Sequence, residues 1–321
     1  MTMKIASLGE CMLELSNPTG NQLARDMACN FSYGGDTLNT AVYMARCGID
    51  VAYISALGAD VYSDWMLSEW RDEGVNTDLI ARYPDAVPGL YMIQTDSQGE
   101  RTFNYWRAQS AAKQFFADAN AVASLAQRLA DSDWIYLSGI TLSLMSDASF
   151  DVFKTVLDSL CSKGSGDKNA KLAFDGNYRP RNWQHRNEAL QRYSDLFPLC
   201  DMVLPTFEDE VLLFDYSTFE QSIACYRDLG VDEVVLKDGG NGALIASDQF
   251  NGWVRACEVS QVIDSTGAGD SFNGAYLSAR LSGVSPEQSA VAGHTLASTV
   301  ICHRGAIINH DSMPANLIIK G

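Results

Sequence analysis

Short apolar runs alternate with stretches of helical apolar spacing along almost the whole chain. Compact apolar runs bounded by turn formers read as strands buried on both faces, and apolar positions three and four apart read as helices laid over them. Strands are predicted at Lys4–Leu8, 51–56, Trp134–Ser138, Lys171–Asp175, 202–204, Glu233–Lys237 and Ala243–Ala246. Leu38, Ala41, Val42 and Ala45 predict a helix closed by Gly48, and Phe150, Phe153, Leu157 and Leu160 one closed near Gly164. The alternation predicts one α/β domain over residues 1–321, with a mostly parallel central sheet flanked by helices on both faces. No internal repeat is visible, and the polar stretch 163–169 reads as a surface loop.

Two regions break the pattern. Residues 88–109 contain the strands Leu90–Thr95 and 101–107 joined by the turn Asp96-Ser97-Gln98-Gly99, a hairpin with no crossover helix. Residues 10–33 lack helical periodicity where a plain βαβ unit would enter its helix. Together they predict a small β-sheet lid over one end of the main sheet. An exposed lid edge favours a homodimer that pairs lids.

Charge narrows the partners. With 23 Lys+Arg against 40 Asp+Glu the net charge is -17, so nucleic acid and anionic membrane surfaces, which require a basic footprint, are excluded as partners. Small anions remain, provided a few cations sit in the right place. No apolar run is long enough for a bilayer span and no leader is evident, so a cytoplasmic location is expected. The eight cysteines and four histidines show no ligand or disulfide spacing.

The strongest local signal is Asp264-Ser265-Thr266-Gly267-Ala268-Gly269-Asp270, followed by Phe272, Ala275, Tyr276 and Ala279 at helical spacing. Glycines before a helix start let backbone N–H groups converge on an anion, and a carboxylate in the first turn can take a proton from a hydroxyl. Phosphoryl transfer follows from that arrangement; a capped tight turn accounts for the glycines equally well. Neither a Walker A loop nor GxGxxG occurs. A second cluster, Gly34-Gly35-Asp36-Thr37-Leu38-Asn39, also opens a helix and offers close backbone approach, acceptors and donors suited to hydroxyls, or merely a helix cap. Period two puts Phe103, Tyr105 and Arg107 on one face of the hairpin and Thr102, Asn104 and Trp106 on the other. Asp175-Gly176-Asn177-Tyr178-Arg179-Pro180-Arg181 follows a strand, at the end where open α/β sheets bind ligands, and brings the cations Arg179 and Arg181. Lys237-Asp238-Gly239-Gly240-Asn241-Gly242 joins two strands, as a nucleotide loop or a plain hairpin turn.

In this order the motifs resemble the ribokinase-like (PfkB) sugar kinases over nearly the whole chain. Residues 35–58, with Asn39, Gly48 and Gly58, resemble that family's first signature, and 264–277 its second. The segments beginning Gly9-Glu10-Cys11-Met12 and Gly34-Gly35-Asp36, with Gly99-Glu100-Arg101 through Arg107 and Asn177-Tyr178-Arg179-Pro180-Arg181, look like the branch acting on 2-dehydro-3-deoxygluconate. The resemblance implies a ribokinase-like fold and ATP-dependent phosphorylation of that sugar acid at its 6-hydroxyl. It implies Asp270 as base, with the amides of Gly267, Ala268 and Gly269 holding the transferring group. Gly34, Gly35, Asp36, Thr37, Asn39, Tyr91, Tyr105, Trp106, Arg107 and Arg179 would receive the sugar acid, an arginine suiting its carboxylate. Asn177, Arg179, Lys237, Asp238, Gly239, Gly240 and Gly242 would border ATP, with Mg2+ bridging the phosphates. Where many relatives carry Asn-x-x-Glu this chain has Thr206-Phe207-Glu208-Asp209, so Asp209 would organise the metal through water, with Glu208 as competitor. A monovalent cation near Asp264 and Thr266 is left open. A catalytically silent sugar-acid sensor is the alternative from another class, and another PfkB acceptor such as fructose, ribose or 5-dehydro-2-deoxygluconate the alternative within it.

Overall fold

In the computed structural model, which describes residues 3–16, 26, 28–95, 101–161, 170–315 and 317, the alternating pattern becomes an eight-stranded sheet. Its order is Asn251–Val254, Ala243–Ala246, Glu233–Lys237, Met202–Val203, Lys171–Asp175, Trp134–Ser138, Lys4–Leu8, Asp50–Ile54. The last six of these run parallel, and the two at the other edge add as antiparallel hairpin strands. The sheet is buried on both faces because successive residues of each strand point into different cores. Ala6, Leu8, Ile135, Leu137, Leu172 and Phe174 enter one, covered by helices that carry Phe115, Phe116, Phe153 and Leu196. Ile5, Tyr136, Ala173, Met202 and Val235 enter the other, beneath Leu38, Val42, Trp70, Phe272 and Tyr276.

The irregular regions form the expected second sheet. Its order is Asn30–Gly34, Met12–Ser16, Leu90–Thr95, Arg101–Trp106, so the stretch 10–33 contributes two strands alongside the hairpin. The turn at 96–99, with Glu100, and the loop at 163–169, with Gly164, lie outside the described residues. The strand expected at 51–56 is two: after Ile54 the chain leaves the main sheet, and Ala56–Gly58 pairs instead with Ala81–Tyr83. The helix Pro286–Val300 and the edge strand Asn251–Val254 were not foreseen.

Two helices position the functional groups. Asp36–Arg46 and Ala268–Leu281 lie side by side, and they approach closely because Gly274 has no side chain. A Cβ there would sit 2.7 Å from Tyr43 Cβ and 3.1 Å from the Thr40 carbonyl oxygen. Gly274→Val is expected to destabilise the protein by about 2–3 kcal/mol through overpacking, read as a lowered urea midpoint, and to depress activity because the two helix starts are forced apart.

Candidate active site

The first turns of both helices open onto the carboxyl ends of the parallel strands, where such sheets hold ligands. Gly267 caps the helix Ala268–Leu281 with φ 74°, a left-handed conformation natural to glycine. A Cβ at that point would lie 2.8 Å from Ala306. The Ala268 N–H turns back weakly to the Ser265 carbonyl at 3.3 Å. The amides of Gly269 and Asp270, as first-turn groups, have no acceptor within the helix and suit an anion. Both oxygens of Asp264 pin the loop, accepting the N–H groups of Thr266 and Gly305 at 2.9 Å each.

This loop forms one wall of a cleft of about 740 Å³, with Asp36, Asp175, Asn177, Arg179, Arg181, Thr206, Lys237 and the run from Val262 to Asp270 around it. A smaller compartment of about 150 Å³ lies beneath the lid, lined by Glu10, Met12, Gly34, Gly35, Asn39, Tyr91 and Arg107 among others. Asp36, Phe103, Tyr105, Ile140, Arg179 and Arg181 belong to both, so the compartments are continuous. At the junction the Asn39 amide donates to Asp270 Oδ2 at 2.8 Å, joining a side chain of the small compartment to one of the large. The buried Asn39 Oδ1 has no hydrogen-bond partner among the described residues.

Electrostatics favour proton exchange at Asp270. Burial pushes its pKa up to about 7, the nearby Asp36 carboxylate adds to the rise, and the Asn39 hydrogen bond opposes it. Asp36, itself raised by burial, accepts from Asn177 Nδ2 at 2.7 Å. Asn177 adopts φ 39°, a strained left-handed turn for a non-glycine residue. Beneath the cleft, Lys237 Nζ lies 3.3 Å from Asp175 Oδ1 and 3.0 Å from Asn273 Oδ1, while Asn273 donates to Asp175 at 2.9 Å. This network holds the lysine beside the helix start.

The lid supplies an aromatic roof. Tyr91 and Tyr105 stack with ring centroids 5.7 Å apart, Phe103 packs beside them, and the Arg181 guanidinium sits 4.2 Å over the Tyr105 ring. Arg107 reaches the small compartment but is ion-paired with Glu10 at 2.5 Å. Arg179 pairs with Asp209 at 3.1 Å.

Several expected residues fall elsewhere. Trp106 is 59% exposed and lines neither compartment, because strand alternation turns it outward where Tyr105 turns in. Thr37 is fully buried, its hydroxyl 3.2 Å from the Tyr53 hydroxyl and its carbonyl accepting from Ser7; it braces the helix start. Asp238, Gly239, Gly240 and Gly242 form a hairpin turn closed by the Asn241 amide on Asp238 at 2.8 Å, and only Lys237 of that motif lines the cleft. Asp209, held by Arg179, is not among the residues lining either compartment. Sequence reasoning gave Asn273 and Glu10 no role. Asn273 stands one turn from Asp270 on the same helix, a spacing that places the two on one face; Glu10 offers no comparable signal.

The fold and the cleft define a protein of the sugar-kinase class. Residues 2–313 match the pfkB family carbohydrate kinases, and the chain belongs to that family. It is 43% identical over 322 residues to the 2-dehydro-3-deoxygluconokinase of Dickeya dadantii, covering 98% of this chain and 99% of that one. It is 42% identical to the 2-dehydro-3-deoxygluconokinase of Escherichia coli, covering 98% of this chain and all of that one. The crystal structure of 2-dehydro-3-deoxygluconokinase from Thermotoga maritima superposes with a TM-score of 0.83 at 23% identity, over 95% of this chain and 96% of that one.

A carboxyl pKa raised to about 7 in the fold, above an unfolded value of about 3.9, means the folded state binds the proton more tightly than the unfolded one. Stability at this group is therefore lost as pH rises towards 7 and regained as it falls. Asp270→Asn, which removes the buried charge, is expected to raise the melting temperature more at pH 8 than at pH 5. Equal shifts at both pH values would show that the carboxyl is not perturbed.

Proposed function

We propose that the protein transfers the terminal phosphoryl group of ATP to the 6-hydroxyl of 2-dehydro-3-deoxygluconate, giving 2-dehydro-3-deoxy-6-phosphogluconate. The observation that carries this is the Asn39 to Asp270 hydrogen bond at the junction of the two compartments. It supports a reading in which Asp270 is the proton acceptor for a sugar hydroxyl bound under the lid, with the phosphate chain in the larger cleft. Relatives more than 40% identical over nearly their full length bear the name 2-dehydro-3-deoxygluconokinase, which supports this sugar acid as acceptor.

In this reading Asp270 takes the hydroxyl proton as the oxygen attacks the terminal phosphorus and the bond to ADP breaks. Asn39 holds the carboxylate in orientation, and its unpartnered Oδ1 accepts from a sugar hydroxyl. The first-turn amides of Gly269 and Asp270, with those of Gly267 and Ala268 beside them and Lys237, meet the charge on the transferring group. Gly34, Gly35 and Asp36 border the sugar, Tyr91 and Tyr105 cover it, and Arg107 and Arg179 face its carboxylate. The roof excludes water that would otherwise consume ATP. Among the described residues no three ligating side chains converge, which suits Mg2+ bound chiefly through phosphate oxygens and water. Bound there, it would offset phosphate charge, with Asp209 reaching it only through water. A monovalent cation stays outside the proposal. A cytoplasmic location is supported by eight free cysteines, and among the described residues no helix is long and apolar enough to cross a membrane. Exposed Phe31 and Trp106 on the lid support a homodimer through that face.

An ADP-release assay should show turnover with the sugar acid far above that with fructose or ribose. A preference for neutral sugars would overturn the acceptor assignment. Asp270→Asn should retain sugar affinity by calorimetry while kcat falls by about 10²–10⁴; a near-wild-type kcat would remove Asp270 from the base role.

A further inference from the structure

Among the described residues the chain crosses between the main domain and the lid four times, and all four crossings meet at Glu10. The first is Gly9-Glu10-Cys11 itself, between the strands Lys4–Leu8 and Met12–Ser16. The second, at Gly35, is packed so tightly that a Cβ there would be 2.2 Å from the Glu10 carbonyl oxygen. The third arrives at Gly89, whose Cβ position lies 3.2 Å from Glu10 Oε1. The fourth runs from Arg107 to Ser110: the Ser110 hydroxyl donates to Glu10 Oε1, and Arg107 Nη2 lies 2.5 Å from Glu10 Oε2.

Glu10 is 2% exposed, so its charge needs a partner, and a buried charge without one is costly. Yet the contact with Arg107 is off the line of a hydrogen bond. Among the described residues, Glu10 Oε2 and Arg107 Nη2 are both buried and lack an aligned partner, and Arg107 Nη1 has only a long contact to Asn182 at 3.4 Å. The guanidinium is thus held beside the small compartment, which Arg107 lines, with N–H capacity that no aligned acceptor among the described residues takes up.

We propose that Glu10 is a positioning residue: it aims the Arg107 guanidinium at the carboxylate of the sugar acid and ties that contact to the hinge of the lid. This rests on the sugar-acid kinase assignment above. A neutral acceptor would leave the aimed donors unpaired, so the same pair discriminates against neutral sugars.

The test is a double-mutant cycle on the full-length enzyme, measured by ADP release and by calorimetric titration of 2-dehydro-3-deoxygluconate without ATP. Glu10→Gln keeps the shape and the Ser110 hydrogen bond but removes the charge. It is expected to raise KM and Kd for the sugar acid about tenfold with kcat within about twofold of wild type. In an Arg107→Ala background the same change should have no further effect on KM. Ser110→Ala, which frees the other carboxylate oxygen, should act in the same direction more weakly and also vanish without Arg107. An unchanged KM and Kd in Glu10→Gln, a loss confined to kcat, or effects additive with Arg107→Ala would overturn the positioning role. Wild-type enzyme in the same assay separates the two failures, since a wild type that ignores the sugar acid overturns the substrate assignment and the positioning role with it.

Discussion

Much of this structure depends on how closely two helices approach. Asp36–Arg46 and Ala268–Leu281 both start at the cleft, and the missing side chain at Gly274 lets them touch. That contact sets Asn39 against Asp270 and Thr40 against the Asp270 carbonyl at 3.2 Å. A carboxylate is thereby kept where water reaches it poorly and a second carboxylate stands near, which lifts its pKa into the range useful for proton transfer. Packing, rather than the chemistry of aspartate, sets this carboxyl apart, and the base role proposed for it rests on that.

The net charge of -17 is compatible with two anionic substrates because the cations of the cleft are few and individually countered. Lys237 faces Asp175, Arg179 faces Asp209, and Arg107 faces Glu10, while Arg181 lies over an aromatic ring. Cations so paired project little field into solvent and draw few polyanions. They still offer N–H groups in fixed directions, so an anion of the right shape gains hydrogen bonds that a merely charged one does not.

How much was legible in the sequence follows from how local each signal is. Strands such as Trp134–Ser138 and Lys171–Asp175 are short apolar runs because both their faces are buried, and their bounds agree with the pattern. The lid hairpin showed itself through alternation and turn chemistry. Met12–Ser16 and Asn30–Gly34 did not appear individually, since a half-covered sheet leaves polar residues such as Glu14, Asn30 and Ser32 within the strands. The helix Pro286–Val300 packs through Ala290, Ala292 and Gly293, small residues that leave a faint apolar stripe. Asp270, Asn39 and Lys237, named from motifs, line the two compartments, whereas Thr37 is buried and Trp106 turns outward, because a motif does not say which way a side chain turns. Glu10 escaped because its partners, Arg107 and Ser110, lie about a hundred positions away.

A lid that serves a sugar acid must couple closure to recognition, and the place to do so is where the lid joins the body. A hinge of glycines alone would allow many closed positions. Gly35 and Gly89 do give the chain room to pass, but a buried carboxylate between them restricts where it can go. Rotation of the lid that carried Arg107 away from Glu10 would strand a charge inside the protein, a penalty large enough to narrow the range of motion. The same residue that limits the hinge also fixes the guanidinium that lines the sugar compartment. With Glu10 in the positioning role proposed for it, lid geometry and acceptor choice are properties of one ion pair, and a change in either is felt by the other.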